Sequence, residues 1–407
     1  MRILMTTSLY PTPAAPYTFG GAELFAKRVA ERFIEDGHEV EILRSRPRTY
    51  AGTETVNGAT VRSTGQNNIY LAYGDTKPAP ARLLWHLIDD NIWADSLLAQ
   101  RIAAFKPDVL HSNTLVGLGA DIWRVARKLG VPVVHTLHDY YLTCARGSRF
   151  NRGENCQTTC RSCSVLTRGR RRKTRHVTAL VGVSKRVVDI HQREGLFLET
   201  PIRTVIHNAS HRVGTVERET NPGPLSIGFM GRASYEKGMT QLAQAFAQLP
   251  ADVARLVVAG KVGEAQQAEL KALAPKADLL FLGYVKPEDF FRQVDVVIAP
   301  SLWEEPGALV IAESLAAGRP VIVSPYGGSP EAILPDVTGW IVPPEADAIA
   351  ALIASIAAKP ELVGRMQDRL MRETTHRTMQ DVNAAYLDVY REAIAFENQT
   401  SKRETTR

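Results

Sequence analysis

Cysteine is scarce in this chain and confined to one place. The 407 residues hold four thiols, Cys144, Cys156, Cys160 and Cys163, all in one short segment. A scaffold stapled throughout by disulfides is excluded. Long apolar runs are also missing. Ala348–Ala358 is cut off by Asp347 and Lys359 and is too short to cross a bilayer. The opening MRILMTTS lacks a basic leader before a long apolar core, and reads as a first buried strand rather than a signal peptide. A cytoplasmic location is the expectation. There is no fixed-period repeat, and no D-x-D segment reads as a divalent-metal site.

What is present is ordinary for a soluble globular protein: 44% hydrophobic and 23% charged residues, with a length that suits two domains. The net charge is +6, and much of the excess lies in Arg168-Gly169-Arg170-Arg171-Arg172-Lys173-Thr174-Arg175-His176. That stretch reads either as a solvated face or as a contact for an anionic membrane or phosphorylated acceptor at the inner face of the membrane. No aromatic residues interleave with the arginines, so nucleic acid is not an expected partner.

Apolar strand-like runs alternate with helical patterns along the chain. Runs at Met1–Ser8, Glu39–Leu43, Val61–Arg62, Val109–His111, Val133–Thr136 and Ala179–Val183 make a first set. Leu225–Met230, Arg255–Ala259, Leu279–Leu282, Val296–Ala299 and Val321–Val323 make a second. Helices are predicted at Leu84–Ala104 and Leu118–Leu129. Phe25, Val29 and Phe33 recur at helical spacing after Gly20-Gly21, and Gly37 ends that pattern. The alternation argues for an α/β fold with parallel sheets covered on both faces. A Pro-rich loop through Pro11, Pro13 and Pro16 follows the first strand, and the polar stretch Val213–Pro224 reads as a linker. The last predicted helix is Met379–Phe396, with a frayed polar tail from Asn398.

The cysteine spacing ends in C-x3-C-x2-C, among loop-forming Gly147, Asn151, Gly153 and Asn155. Zinc takes four soft ligands tetrahedrally, and short spacings let one loop supply them. A structural zinc on Cys144, Cys156, Cys160 and Cys163 is therefore expected, with an iron–sulfur cluster, two disulfides or free thiols as alternatives. A closed four-thiolate shell leaves no open position for catalysis.

The richest segment is SLWEEPGALVIAESLAAGRPVIVSP. Glu305-Pro306-Gly307 stands where a helix is predicted to begin, between two strand-like runs, and Glu313 follows within that helix. Pro306 suits a first helical turn and Gly307 allows close approach of a ligand. The amides of Gly307, Ala308 and Leu309 are predicted to point at an anion. Upstream, Gly231-Arg232-Ala233-Ser234-Tyr235-Glu236-Lys237-Gly238 follows a strand, where Arg232 offers a planar fork and Lys237 a point charge for a diphosphate.

On these residues the chain resembles the retaining family-four glycosyltransferases of the GT-B fold, whose mark is E-x7-E followed by a G-x-P-V-I stretch. Here that is Glu305, Glu313 and Gly318-Arg319-Pro320-Val321-Ile322. Gly307-Ala308 departs from the aromatic-glycine pair usual after the proline. The resemblance implies two doubly wound Rossmann-like domains facing a central cleft: 1–205 for the acceptor, 206–378 for a nucleotide-diphosphate-sugar donor, and a helix at 379–397 crossing back to the first. It implies that Arg232 and Lys237 hold the donor diphosphate from the loop opened by Gly231, without a catalytic metal. Glu305 would bond the donor sugar and Glu313 the ribose, with backbone groups near Tyr284 meeting the base. His138, in His135-Thr136-Leu137-His138-Asp139, would meet the donor sugar, and Gly20-Gly21 would line the acceptor side, with His111-Ser112-Asn113 near the acceptor. Gly327-Gly328 and Glu331 would border the cleft. Some relatives carry a cysteine-rich insertion after an HD motif, which would shape the acceptor side. A GT-B nucleotide-sugar epimerase, or a non-catalytic scaffold in polysaccharide assembly, are the alternatives.

Overall fold

The computed structural model describes residues 1–13, 20–46, 52–65, 68–70, 77–90, 95–210, 216–217, 223–372 and 377–405. Pro16 and most of the linker at 213–224 lie outside the described residues. The chain divides into two compact units. Unit one is Met1–Arg149, Cys156–His207 and Met379–Arg407; unit two is Phe150–Asn155 and Asn208–Thr378.

Unit one is built on β1 (Arg2–Thr7), β2 (Glu39–Arg46), β3 (Thr53–Val56), β4 (Ala59–Gly65), β5 (Val109–Ser112) and β6 (Val133–Leu137). A short hairpin, β7 (Phe150–Asn151) and β8 (Glu154–Asn155), belongs to unit two. The first sheet closes with β9 (Ala179–Gly182) and β10 (Ile202–Val205), in the order β10-β9-β6-β5-β1-β2-β4-β3. Its pairs are parallel except β3 with β4. Ile3 and Leu4 of β1 and Val109 and Leu110 of β5 are fully buried, as strands covered on both faces require.

Unit two carries β11 (Leu225–Met230), β12 (Ala254–Ala259), β13 (Asp278–Gly283), β14 (Val296–Ala299), β15 (Val321–Val323) and β16 (Gly339–Ile341). They form one parallel sheet ordered β13-β12-β11-β14-β15-β16. In both sheets the first strand of the sheet lies in the interior and the winding reverses beside it, between β1 and β5 and between β11 and β14. Ligands of such sheets bind beyond the strand carboxyl ends at that reversal.

Helix Gly21–Glu35 buries Phe25, Val29 and Phe33 on one stripe. Each such side chain contributes about 1.5–3 kcal/mol of burial. Where one helix is predicted over 84–104, two form, Ala79–Asp90 and Asp95–Phe105. The last helix, Met379–Thr405, packs within unit one. Asn383 Nδ2 donates to the Val29 carbonyl (3.0 Å), the Tyr386 hydroxyl bonds Thr136 (3.0 Å), and the Tyr390 hydroxyl bonds His111 Nδ1 (2.6 Å). It continues past the predicted end at 396–397 because no glycine or proline interrupts Glu397–Thr405. Among the described residues, no helix is long and apolar enough to cross a membrane.

Candidate active site

In unit two the loops leaving β11 and β14 meet at the winding reversal. Gly238 has φ +78°, and a Cβ there would lie 2.0 Å from the Pro300 carbonyl oxygen. Leu302 N–H donates to the Glu236 carbonyl (2.9 Å). These approaches bring two residues 68 positions apart together: Lys237 Nζ forms an ion pair with Glu305 Oε1. The other carboxylate oxygen of Glu305 accepts from Ser301 Oγ at 2.5 Å. Glu305 is buried, and the Lys237 ammonium also sits 5.8 Å from the Trp303 ring centre.

The loop after β15 closes a third side. Gly328 N–H donates to the Glu305 carbonyl (2.8 Å) and Gly327 N–H to Glu304 Oε2 (2.9 Å). Asn208 Nδ2 donates to the Gly307 carbonyl (3.0 Å). Because outside donors hold Glu305-Pro306-Gly307, Pro306 does not start the helix. The helix is Leu309–Ala316 with Ala308 as its N-cap, so Gly307 lies before the helical amides. Glu313 is buried, just over one turn into it.

Arg232 leaves the same loop as Lys237 but is largely exposed, with Glu236 at 4.0 Å. Gly231, at the strand end, donates to the Ala259 carbonyl (3.0 Å). Tyr284 follows β13, at the sheet edge, and is exposed. Glu331 lies in the short helix Ser329–Ala332 after Gly327-Gly328.

Unit one has its own cluster at the β1/β5 reversal. Gly20 is the N-cap of the helix that Gly21 begins, and Gly20 N–H donates to Glu23 Oε2 (3.0 Å). His138, after β6, bonds Asn113 Oδ1 through Nε2 (3.0 Å) and meets Phe25 edge-on. Burial pulls the His138 pKa down to about 4, so the ring is neutral near pH 7. The expectation that His111 and Ser112 face an acceptor is corrected. His111 spends both ring nitrogens on Thr136 and Tyr390 (2.8 and 2.6 Å), and Ser112 Oγ accepts from the Trp123 indole (2.8 Å). Asp139, which sequence reasoning left unassigned, is raised to about 6 by burial; its carboxylate accepts from Tyr141 N–H at 2.8 Å.

Burial also pulls His111 down to about 3 and His191 to about 4. All three histidines belong to unit one. A depressed histidine stabilises the fold above its unfolded value of about 6.5 and loses that contribution as pH falls towards the folded value. Each costs about 1.4 kcal/mol per pH unit across that window, while Asp139 works in the opposite sense. Circular dichroism melts between pH 7 and 4 should show unit one unfolding first.

The four cysteines are free. The Cys144, Cys160 and Cys163 thiols are neighbours that shift one another's ionisation, and Cys160 bonds Ser162 Oγ (3.3 Å). Among the described residues, no three Cys, His, Asp or Glu side chains are grouped to hold an ion, so the expected four-thiolate shell is not assembled. Within the same segment, the β7–β8 hairpin groups with unit two rather than with the first domain, because Asn155 bonds the Leu302 carbonyl (2.8 Å) and the Glu304 N–H (2.9 Å). The basic stretch is not a single free face. Arg170 is buried, 3.6 Å over the Tyr141 ring; Arg171 donates to the Glu194 carbonyl (2.7 Å); Lys173 lies 3.7 Å from Asp121. Arg168, Arg172 and Arg175 are exposed.

Sequence reasoning missed Ser301, which carries no motif of its own, and Asn155, which read only as a loop former. It gave Lys237 and Glu305 separate duties and did not pair them.

Two family models match the chain: Glycosyltransferase Family 4 over residues 19–209, and Glycosyl transferases group 1 over residues 216–372. An uncharacterized 42.6 kDa protein in the cps region of Klebsiella pneumoniae is 31% identical, covering 83% of this chain and 89% of that one. Sucrose-phosphate synthase from Thermosynechococcus elongatus shares the fold with a TM-score of 0.72 at 18% identity, over 97% and 99% of the two chains. Anabaena HepE, solved with UDP-glucose, has a TM-score of 0.66 at 20% identity, over 96% of this chain and 100% of the other.

Proposed function

The chain belongs to the family-four glycosyltransferases of the GT-B fold, and from that premise we propose that it transfers a sugar from a nucleoside-diphosphate sugar with retention of anomeric configuration and without a divalent metal. The observation that carries this reading is the Lys237–Glu305 ion pair at the winding reversal of unit two.

Lys237 and Arg232 stabilise the departing diphosphate, helped by the helix amides from Leu309 onward. Glu305, fixed by Ser301 and Lys237, accepts from a hydroxyl of the donor sugar, and Glu313 accepts from the ribose. The bond from the anomeric carbon to the diphosphate oxygen breaks, and a new bond to the acceptor oxygen forms on the same face. The acceptor proton passes to the leaving phosphate, so no enzymic base is needed. Glu305 is not assigned as a nucleophile; retaining glycosidases that use one have a second carboxylate facing it. His138, as a neutral ring, bonds a sugar hydroxyl from unit one, where Gly20-Gly21 approach the acceptor. HepE, a protein of the same fold, was solved with a ligand of the proposed donor class.

The acceptor is proposed to be a lipid-linked or polysaccharide intermediate. The exposed Arg168, Arg172 and Arg175 suit peripheral contact with an anionic membrane, where such an acceptor would be met. A structural zinc on Cys144, Cys156, Cys160 and Cys163 would require the four thiolates to turn onto one centre, and it takes no part in the chemistry.

Thermal melts with UDP, GDP, ADP and their glucose conjugates, without added metal, test the donor site. One base should raise the melting temperature selectively, and Arg232→Ala should reduce that rise. No response to any member would count against the donor site. Metal analysis of the same preparation should find about one zinc per chain if the thiol cluster holds an ion; none would remove the zinc proposal.

A further inference from the structure

The loop bearing Glu305 has neither helix nor sheet to satisfy its backbone. Its polar groups are matched one at a time. Leu302 N–H donates to Glu236, Glu305 N–H to Trp303 (2.7 Å), and the Glu305 carbonyl accepts from Gly328. The two groups on either side of Trp303 go to a single side chain. Asn155 Nδ2 donates to the Leu302 carbonyl at 2.8 Å, and Asn155 Oδ1 accepts from Glu304 N–H at 2.9 Å. A carboxamide holds a donor and an acceptor in one plane, so it pairs with this segment as a neighbouring strand would.

The residue is well anchored. Asn155 pairs with Phe150 across the β7–β8 hairpin, whose tip residues Arg152 and Gly153 have φ +52° and +87°, as a tight two-residue turn requires. Cys156 N–H closes the base of the hairpin on the Arg149 carbonyl (2.7 Å). The hairpin also rests on the turn that carries Lys237: the Phe150 and Tyr235 rings lie 6.4 Å apart, and a Cβ on Gly153 would lie 3.4 Å from the Tyr235 hydroxyl. One hairpin therefore touches both loops whose tips form the Lys237–Glu305 pair.

We propose that Asn155 is a positioning residue for sugar transfer, bracing the Ser301–Glu305 loop so that Glu305 stays aligned with Lys237 and the donor sugar. The inference rests on the transfer reading above.

The test compares Asn155→Ala, Asn155→Asp and, as a control on the exposed neighbour, Glu154→Ala. Hydrogen exchange of the peptide spanning 301–305 in the ligand-free protein reads the brace directly. Losing two hydrogen bonds should speed exchange there about tenfold or more in Asn155→Ala, and Glu154→Ala should match wild type. With UDP-glucose as the probe and water as the acceptor, giving UDP and glucose, kcat of Asn155→Ala should fall on the order of 10–10² fold, the range for an angstrom-scale misplacement, with KM within about twofold. Asn155→Asp should be impaired at pH 8, where its carboxylate cannot donate to Leu302, and should recover as pH falls and the carboxyl protonates. A general packing defect would show no such rescue.

Unchanged exchange in Asn155→Ala overturns the brace, as does a loss of kcat matched by Glu154→Ala. Faster exchange with unaltered kcat overturns the positioning role. Faster exchange in a protein whose wild type neither binds UDP nor turns over UDP-glucose supports the brace and sinks the UDP-sugar donor reading instead.

Discussion

Gly327→Ala is expected to remove most transfer activity, by at least on the order of 10²-fold. Gly327 has φ +68°, and a Cβ there would lie 2.1 Å from the Glu305 carbonyl oxygen and 2.4 Å from its nitrogen. Neither is the end of a flexible side chain that can turn away. The backbone of Glu305 has to retreat by about an angstrom to restore contact distance, and Ser301, Lys237 and Gly328 all take their geometry from it. Overpacking and left-handed backbone should together cost about 2–6 kcal/mol of stability, so the thermal melt first checks that the variant is folded before its loss of rate is read. Gly263→Ala is the matched control, since nothing lies within 4 Å of a Cβ at that position. Initial rates and thermal melts of the two variants decide the matter. A Gly327→Ala protein as active as wild type would show that the Glu305 backbone does not govern transfer.

Glu305→Gln should cut transfer by about 10²–10³ fold, the range seen when one preorganised electrostatic contact is lost. Affinity for the nucleoside diphosphate should not weaken. The amide keeps the shape and can still accept from Ser301 Oγ, but it gives up the charge that pairs with Lys237. Lys237 is then free to turn to a diphosphate. Because the two residues act as a pair, the double variant with Lys237→Met should lose little more than the worse single variant. Rates for the four proteins, with calorimetric binding of the diphosphate, form the cycle. Near-normal turnover in Glu305→Gln would overturn the role given to that carboxylate, and additive losses would show that the ion pair is incidental.

The frame of each unit was legible because parallel strands buried on both faces are written as short continuous apolar runs. Leu225–Met230, Val296–Ala299 and Val321–Val323 stand in the sequence with the limits they have in the fold. β16 was missed because Gly339-Trp340-Ile341 opens on a glycine and offers no continuous β-branched run, unlike the equally short Val321–Val323. The strands β7 and β8 were missed because two residues each show no pattern. The site was legible only as ingredients. Glu305 and Lys237 stood out singly, yet their pairing depends on β11 and β14 becoming neighbours, and no local pattern encodes that adjacency. The helix start was misplaced by three residues, since a proline favours a first turn only where nothing outside claims the carbonyls around it. Asn208 and Gly328 claim them here. Gly327 could be read as a glycine, but the backbone it gives way to lies 22 residues earlier in the chain.

The last helix gives the chain an order of assembly that differs from its order of synthesis. Unit one is left at His207 and rejoined at Met379, so the whole of Asn208–Thr378 is made before unit one receives its closing segment. Until Asn383, Tyr386 and Tyr390 emerge, the Val29 carbonyl, Thr136 and His111 lack the partners they have in the finished fold. A nascent chain ending at Thr378 holds every residue of unit two and an unfinished unit one. The domain made first is the domain completed last.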